Sequence, residues 1–203
     1  MADEQTTAAC ERPLRADARR NRDALLAAAV EAFAKSGADV PLETIAANAG
    51  VGVGTLYRNF PDRNALVEAA YRHEVASLCA RAPQLLAERA SGLEALREWT
   101  VRFTGYAAAK AGMKEALRAA IGAEGTLFSE TRELIITAIG ELLAAGATDG
   151  SIRADVDAGD VWRAMGAVWN VPAGPQWERH VRTLLDLVLD GLRYGARLEE
   201  PPA

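Results

Sequence analysis

The segment from Leu42 to Arg63 has the sequence LETIAANAGVGVGTLYRNFPDR. Its pattern predicts a short helix, a turn at Gly50, a second short helix and a Pro-Asp start to a third. Gly50 stands where a helix ends and the backbone commonly needs a left-handed conformation. The apolar residues of the two short helices would form a small shared core: Ile45, Ala46, Ala49, Val51, Leu56 and Phe60. This arrangement is typical of a helix-turn-helix.

A helix-turn-helix presents one helix to the major groove of DNA. Thr55 and Tyr57 carry hydroxyl groups that suit phosphate oxygens or base edges. Arg63 follows Asp62, which we expect to cap the next helix, and an arginine at a helix N-terminus suits a phosphate. The candidate DNA contacts of this segment are Thr44, Gly52, Val53, Gly54, Thr55, Tyr57, Arg58, Asn59 and Arg63.

The segment resembles the tetracycline-repressor (TetR/AcrR) family of bacterial transcription regulators. The similarity extends back to Ala24–Gly37 and covers residues 12 to 78. It rests on an ordered set of residues: Ile45-Ala46, Ala49-Gly50-Val51, Gly54-Thr55-Leu56-Tyr57, and Phe60 followed by Arg63, Ala65 and Leu66. The resemblance implies an all-α protein, with an N-terminal three-helix DNA-binding domain and a C-terminal helical domain for ligand binding and dimerisation.

Three positions depart from the commonest pattern of the family. Gly52 replaces the usual Ser or Thr at the start of the second short helix, and Glu43 is acidic where many relatives carry Arg. Val53 stands where Lys is frequent, so one cationic contact is missing. Val53 could instead contact the methyl group of a thymine. These departures affect which operator contacts are expected, but they do not affect the prediction of a helix-turn-helix.

The remainder of the chain is helical by pattern. Apolar residues recur at helical spacing over residues 91–110, 126–145 and 176–197, and Asp157 or Asp160 opens another helix that contains Val161, Met165, Val168 and Trp169. We expect a DNA-binding domain at residues 12–62, a connecting helix at 63–80 and a C-terminal domain at 81–198. The resemblance implies a homodimer through the last two helices. The stripe on the last helix fits such a contact or the subunit's own core: Val181, Leu184, Leu185, Val188, Leu189 and Leu192.

The charge of the chain is distributed unevenly. The net charge is −5, yet the stretch from Arg12 to Arg22 carries +4, which leaves −9 for the rest. An asymmetry of this kind is expected when one end of a protein contacts nucleic acid. Arg12, Arg15, Arg19 and Arg22 are therefore candidate contacts to phosphates or a minor groove. The alternative is a solvated tail.

Composition limits the class of protein. The chain is 50% hydrophobic and 25% charged, which suits a globular fold. No apolar run approaches the ~20 residues that span a bilayer, and no signal pattern opens the chain. Cys10 and Cys79 form no paired spacing, and the two histidines, His73 and His180, form no metal motif. We therefore expect a cytoplasmic protein without cofactor or metal.

Aromatic and methionine residues mark the candidate effector site. The resemblance implies a pocket in the C-terminal domain, and the candidate ligand contacts are Trp99, Phe103, Tyr106, Met113, Phe128, Met165 and Trp169. The same residues at helical spacing also fit a plain core. No charged residue on an apolar face stands out, so the sequence favours a small apolar or amphipathic effector.

Three functions follow in decreasing order of support. The first is a sequence-specific repressor that binds a pseudo-palindromic double-stranded operator and is released by an organic effector. The second is an architectural or adaptor DNA-binding protein with a sealed C-terminal body. The third is a helical enzyme, for which no catalytic motif is present in the sequence. A cavity in the C-terminal body would separate the first from the second.

Overall fold

The computed structural model describes residues 4–121 and 126–194, with side chains described for 17–120 and 126–194. Over these ranges the chain is helical and contains no strand, so the predicted all-α class is confirmed. The helices are α1 (Glu4–Ser36), α2 (Leu42–Asn48), α3 (Val53–Asn59), α4 (Arg63–Glu88), α5 (Gly92–Ile121), α6 (Leu127–Thr148), α7 (Ala158–Met165), a 3₁₀ helix (Gly166–Asn170) and α8 (Trp177–Tyr194).

The turn between α2 and α3 forms as the sequence predicts. Gly50 has a φ of +69°, and its N–H donates to the carbonyl of Ala47 at 3.0 Å. The carbonyl of Gly52 accepts from the N–H groups of Thr55 and Leu56 and so begins α3. Asp62 caps α4 by accepting from the N–H of Ala65 at 2.8 Å. Local hydrogen bonds therefore set the end of α2 and the beginnings of α3 and α4.

The helices after α3 are longer or shorter than their sequence patterns indicate. α4 continues through Pro83 to Glu88, and α5 continues to Ile121 because its later residues are strong helix formers. Asp157, not Asp160, caps α7 by accepting from the N–H of Gly159. That helix ends at Met165, and the predicted members Val168 and Trp169 lie in the 3₁₀ helix. The predicted residues 195–197 of the last helix lie outside the described residues.

The chain divides into two compact units. The first comprises Met1–His73 with Gly112–Glu124, and the second comprises Glu74–Ala111 with Gly125–Ala203. Helices α4 and α5 therefore contribute to both units. The domain boundaries predicted at residues 62 and 80 stay a prediction. Sequence order alone does not show that residues 112–121, at the end of α5, belong to the first unit.

Each unit has its own core. In the first unit, the buried apolar residues are Leu25, Leu26 and Phe33 on α1, Phe60 at the C-cap of α3, and residues of α2 to α5: Leu42, Ile45, Leu56, Leu66, Val67, Met113 and Leu117. In the second unit the core includes Leu85, Leu96, Trp99, Phe103, Ile135, Ile139, Leu142, Met165, Val181, Leu185 and Leu189. No helix in the described residues is both long and apolar enough to cross a membrane.

Candidate nucleic-acid interface and aromatic cluster

Helix α3 has one buried anchor and an exposed face. Leu56 is buried, whereas the side chains of Val53 and Tyr57 are 42% and 47% exposed. Gly54 and Arg58 are also exposed, and Thr55 and Asn59 are half-buried. On a helix, positions 53, 54, 57 and 58 lie on one side, because they recur at intervals of three and four. The structure thus brings five of the predicted contacts to one accessible surface, which includes the N-terminal Gly52.

The polar side chains of α3 are held by their own helix. The Arg58 guanidinium donates to the carbonyl of Gly54 at 3.2 Å and to the hydroxyl of Thr55 at 3.0 Å. The side-chain amide of Asn59 donates to the carbonyl of Thr55 at 2.9 Å. Arg58 is nevertheless exposed, so it can exchange these bonds for others without uncovering the core. Thr44, on α2, is also exposed.

The basic residues of α1 fall into two groups. Arg19 and Arg22 are exposed, and the Arg22 guanidinium lies 5.3 Å from the centre of the Phe60 ring at the end of α3. This cation–π contact holds a positive charge beside the helix-turn-helix. The side chains of Arg12 and Arg15 lie outside the described residues, so their predicted role stays a prediction.

Arg63 is placed differently from what the sequence indicates. Its guanidinium is half-buried and donates to the carbonyls of Ala38 and Val40, in the latter case at 2.8 Å. These bonds tie the start of α4 to the segment between α1 and α2. The side chain therefore has a structural task inside the first unit that competes with a phosphate contact. Sequence spacing could not show this, because the partners are 23 and 25 residues away.

The predicted aromatic residues of the second unit gather into one cluster. Phe103 is central: its ring centre lies 5.8 Å from that of Trp99, 5.5 Å from Tyr106 and 6.1 Å from Trp169. Trp162, which was not among the predicted ligand contacts, has its ring centre 6.2 Å from that of Phe103. The Trp99 indole N–H donates to the carbonyl of Leu78 at 2.9 Å. We use the name aromatic cluster for Trp99, Phe103, Tyr106, Trp162 and Trp169 together with Lys110 and Phe128.

The cluster has a buried side and an open side. Trp99, Phe103 and Tyr106 are fully buried, whereas Phe128 and Trp169 are each 37% exposed. Met165 is buried in the second unit, and Met113 is buried in the first unit, so Met113 is not part of the cluster. None of the three described surface clefts, whose volumes are about 810, 630 and 310 Å³, is lined by the predicted ligand residues.

Lys110 is the charged member of the cluster, and it was not among the ligand contacts predicted from the sequence. Its Nζ lies 4.7 Å from the ring centre of Trp169, 5.4 Å from that of Phe128 and 5.9 Å from that of Tyr106. Burial lowers the pKa of Lys110 from its usual value, because removing the ammonium from water disfavours the charged form. Its spacing of four residues from Tyr106 on α5 was the available signal.

The stripe on α8 divides into two faces. Val181, Leu185, Leu189 and Leu192 are buried within the subunit. Leu184 and Val188 are half-buried, Leu187 is 64% exposed, and Gly191 is exposed. Leu185 therefore serves the subunit's own core, and an outer face remains around Leu187. Among the described residues no three His, Cys, Asp or Glu side chains could hold a metal ion.

The chain is similar to known transcriptional regulators over most of its length. Residues 25–70 match a family described as bacterial regulatory proteins, tetR family, and residues 92–194 match the C-terminal domain of SbtR-like transcriptional regulators. A TetR transcriptional regulator from Streptomyces coelicolor is 50% identical, with 85% of this chain and 98% of that chain covered and a TM-score of 0.78.

Two further solved structures extend the comparison. A TetR transcription regulatory protein from Mycobacterium vanbaalenii is 36% identical, with 89% of this chain and 99% of that chain covered and a TM-score of 0.71. The regulator FadR from Bacillus subtilis, solved in complex with stearoyl-CoA, is 18% identical over 85% of this chain and 97% of that chain, with a TM-score of 0.55, and shows the fold alone. The chain therefore belongs to the TetR family and is a DNA-binding transcriptional regulator.

Proposed function

We propose that this regulator is a homodimeric repressor that occupies a pseudo-palindromic operator and leaves it when a small organic effector binds the second unit. The observation that carries the DNA-binding part is the exposed face of α3, with Val53, Tyr57 and Arg58 outside and Leu56 alone as the buried anchor. Two copies of this helix would enter successive major grooves, about 34–36 Å apart for half-sites one turn apart.

The roles of the contacts follow from their chemistry. Val53 would meet a thymine methyl group, and Tyr57 and Thr55 would donate to phosphates or base edges. Arg58 would exchange its contact with Thr55 for a guanine edge or a phosphate. The residues that complete the proposed interface are Thr44, Gly52, Gly54, Asn59 and, through the phosphate backbone, Arg12, Arg15, Arg19 and Arg22. We assign Arg63 to the positioning of α4 and not to direct contact with DNA, because its guanidinium donates to the carbonyls of Ala38 and Val40.

The experiment selects bound fragments from a genomic DNA library and measures the affinity of the protein for them. Tyr57→Ala should weaken operator binding about 10- to 100-fold, as expected for one lost specific contact. The control is Val101→Ala, which removes a side chain that is 57% exposed on α5 in the second unit, outside the proposed dimer helices, and should leave affinity unchanged. Equal affinity of the two variants would remove α3 from the interface.

The dimer is proposed to use α7 and the outer face of α8. Leu187 is exposed, and Leu184, Val188 and Gly191 flank it at helical spacing. Leu187→Arg should give a folded monomer, because a charge would be buried at the contact without a partner. Sedimentation at micromolar concentration measures this. A dimer that persists in Leu187→Arg would place the interface elsewhere.

The effector part of the proposal is supported by the aromatic cluster, which DNA binding alone does not require. The alternative, a DNA-binding protein with a sealed body, is favoured by one observation: the rings of Trp99, Phe103 and Tyr106 are buried against one another. An effector that prefers one dimer shape would weaken operator binding by about 5- to 150-fold. The test measures operator affinity in the presence of a panel of small organic molecules. If none of them changes operator affinity, the result supports the alternative of a sealed C-terminal body.

A further inference from the structure

We propose that Phe60 is a positioning residue for DNA binding: its ring holds the Arg22 guanidinium at the C-terminal end of α3, where the charge meets a phosphate of the operator. The inference rests on the DNA-binding part of the function proposed above, in which Arg22 is one of four basic residues of α1. It gives Phe60, which belongs to the core of the first unit, a second role in operator binding.

The first observation is that one ring connects two helices of the first unit. Phe60 is the C-cap residue of α3, it is 2% exposed, and its N–H donates to the carbonyl of Leu56 at 2.8 Å. Arg22 lies on α1 three residues before the buried Leu25, and so at the edge of the face that packs on the core. Because the Arg22 Cζ lies 5.3 Å from the ring centre of Phe60, a charge on α1 is held at a defined place relative to α3.

The second observation concerns the N–H groups of Arg22. A cation–π contact uses the charge of a guanidinium and the face of a ring, and it occupies none of the five N–H donors. Within the part of the chain whose side chains are described, Arg22 donates no hydrogen bond and forms no ion pair. By contrast, Arg20 is paired with Asp17, and Arg58 donates to its own helix. Arg22 is therefore held in place while its donors stay available to a phosphate.

The advantage of this arrangement is entropic. An unrestrained arginine has many rotamers, and fixing its side chain on a phosphate costs free energy when DNA binds. The Phe60 ring restricts the side chain before DNA arrives, so less freedom is lost on binding. Arginine suits this role because its planar guanidinium is weakly hydrated, contacts aromatic rings and donates to phosphate oxygens. Phe60 would thus raise operator affinity without contacting DNA.

A double-mutant cycle tests whether Phe60 acts through Arg22. Operator affinity is measured for Phe60→Leu in three backgrounds, which are the unmodified protein, Arg22→Ala and Arg19→Ala. Arg19 lies one turn earlier on α1 and is exposed, so Arg19→Ala removes an equal charge and leaves the contact between Arg22 and Phe60 in place. Circular dichroism at the temperature of the binding measurement checks that each variant is folded, because leucine fills less of the core than the ring does.

We expect Phe60→Leu to weaken operator binding about 2- to 10-fold in the unmodified protein and in Arg19→Ala, the range for one side chain that must be immobilised on binding. In Arg22→Ala the same substitution should have no further effect. Arg22→Ala itself should lower the salt slope of binding by roughly 0.9, the share of one phosphate. An equal loss of affinity in all three backgrounds, or no loss in the unmodified protein, overturns the inference.

A second replacement preserves the shape of the ring and decides the case in which Phe60→Leu does not fold. The trifluorinated analogue of phenylalanine, introduced at position 60 alone, has nearly the same shape but a less negative ring face, so it weakens the attraction for a cation. It should weaken operator binding in the unmodified protein and not in Arg22→Ala. An unchanged affinity of the otherwise unmodified protein overturns the inference, since a purely structural ring would tolerate the analogue.

Tyr57→Ala is measured on the same operator, so that the two proposals can fail separately. Weaker binding by Tyr57→Ala together with full binding by Arg22→Ala overturns this inference and leaves α3 at the interface. Full binding by both variants contradicts the proposed DNA-binding surface and, with it, this inference.

Discussion

The helix-turn-helix of the first unit and the aromatic cluster of the second unit expose their candidate residues in opposite ways. Between Leu42 and Phe60, the residues proposed to contact DNA are mostly exposed, and the buried residues between them form the core and are not among the proposed DNA contacts. In the cluster, Phe103 and Tyr106 are both core and candidate site, because their rings pack on one another and support the open rings of Phe128 and Trp169.

Because of this difference, the two regions require different kinds of variants. A side chain on the exposed face of α3 can be removed with little effect on folding, so that a change in DNA affinity reports a contact. Removing a buried ring of the cluster changes folding and the candidate site together. Only residues on the open side, such as Lys110 and Trp169, separate the two effects in the second unit.

The largest expected effect is on folding stability in the cluster. Phe103→Ala should lower the free energy of unfolding by about 3–5 kcal/mol, because it leaves a cavity among four rings. Tyr57→Ala should change it by less than about 0.5 kcal/mol, since Tyr57 is 47% exposed. Urea unfolding followed by circular dichroism, at one protein concentration, measures both. Similar losses of stability in the two variants would contradict the assignment of Phe103 to the core and Tyr57 to the exposed face of α3.

Two glycines on α5, one in each unit, test how closely this helix packs against its neighbours. A Cβ at Gly112 would lie 2.0 Å from the carbonyl oxygen of Phe33 on α1, whereas a Cβ at Gly105 would meet no atom within 4 Å. Gly112→Ala should therefore destabilise by about 2–3 kcal/mol through overpacking. Gly105→Ala should stabilise by about 0.5–1 kcal/mol, the helix-propensity difference. Thermal unfolding should move in opposite directions, and a gain in both variants would mean that α5 and α1 do not pack closely at Gly112.

The next prediction concerns whether Arg63 stabilises the fold or contacts DNA. Arg63→Ala should destabilise by about 1–2 kcal/mol, because two backbone carbonyls lose a charged donor from a half-buried site. The dependence of operator binding on salt should stay unchanged. Arg58→Ala, on the exposed face, should keep stability and weaken binding. If Arg63→Ala instead reduces the salt slope by roughly 0.9 with stability unchanged, Arg63 contacts a phosphate.

The smallest expected effect concerns the N-terminus of α3. Gly52 is the N-cap residue and provides no side-chain hydrogen bond, and a Cβ there would meet no atom within 4 Å. Gly52→Ser should stabilise by a few tenths of a kcal/mol by capping an N–H group. Gly50→Ser is the control and should destabilise by roughly 1 kcal/mol, since Gly50 has a φ of +69°. Calorimetry distinguishes the signs, and a loss in both variants would exclude a free cap position at Gly52.

The helix-turn-helix could be predicted from the sequence because its determinants are local. Gly50, Asp62 and the apolar spacing of Ile45 and Leu56 act within a few residues, through backbone conformation, capping and helical periodicity. The helices of the second unit could also be predicted from periodicity, although their ends could not. The end of α7 depends on the 3₁₀ helix that follows it, and α4 continues through a proline that ordinarily ends a helix.

The all-α class, the turn at Gly50 and the buried position of Leu56 on α3 could be read from the sequence alone, since each depends on neighbours in the chain. The tertiary structure settled which of several equivalent residues does what. It assigned Leu185 to the core and left Leu187 exposed, it bonded Arg63 to carbonyls more than 20 residues away, and it placed Lys110 among rings from other helices. Periodicity gives the face of a helix on which a side chain lies, but only packing determines what that face meets.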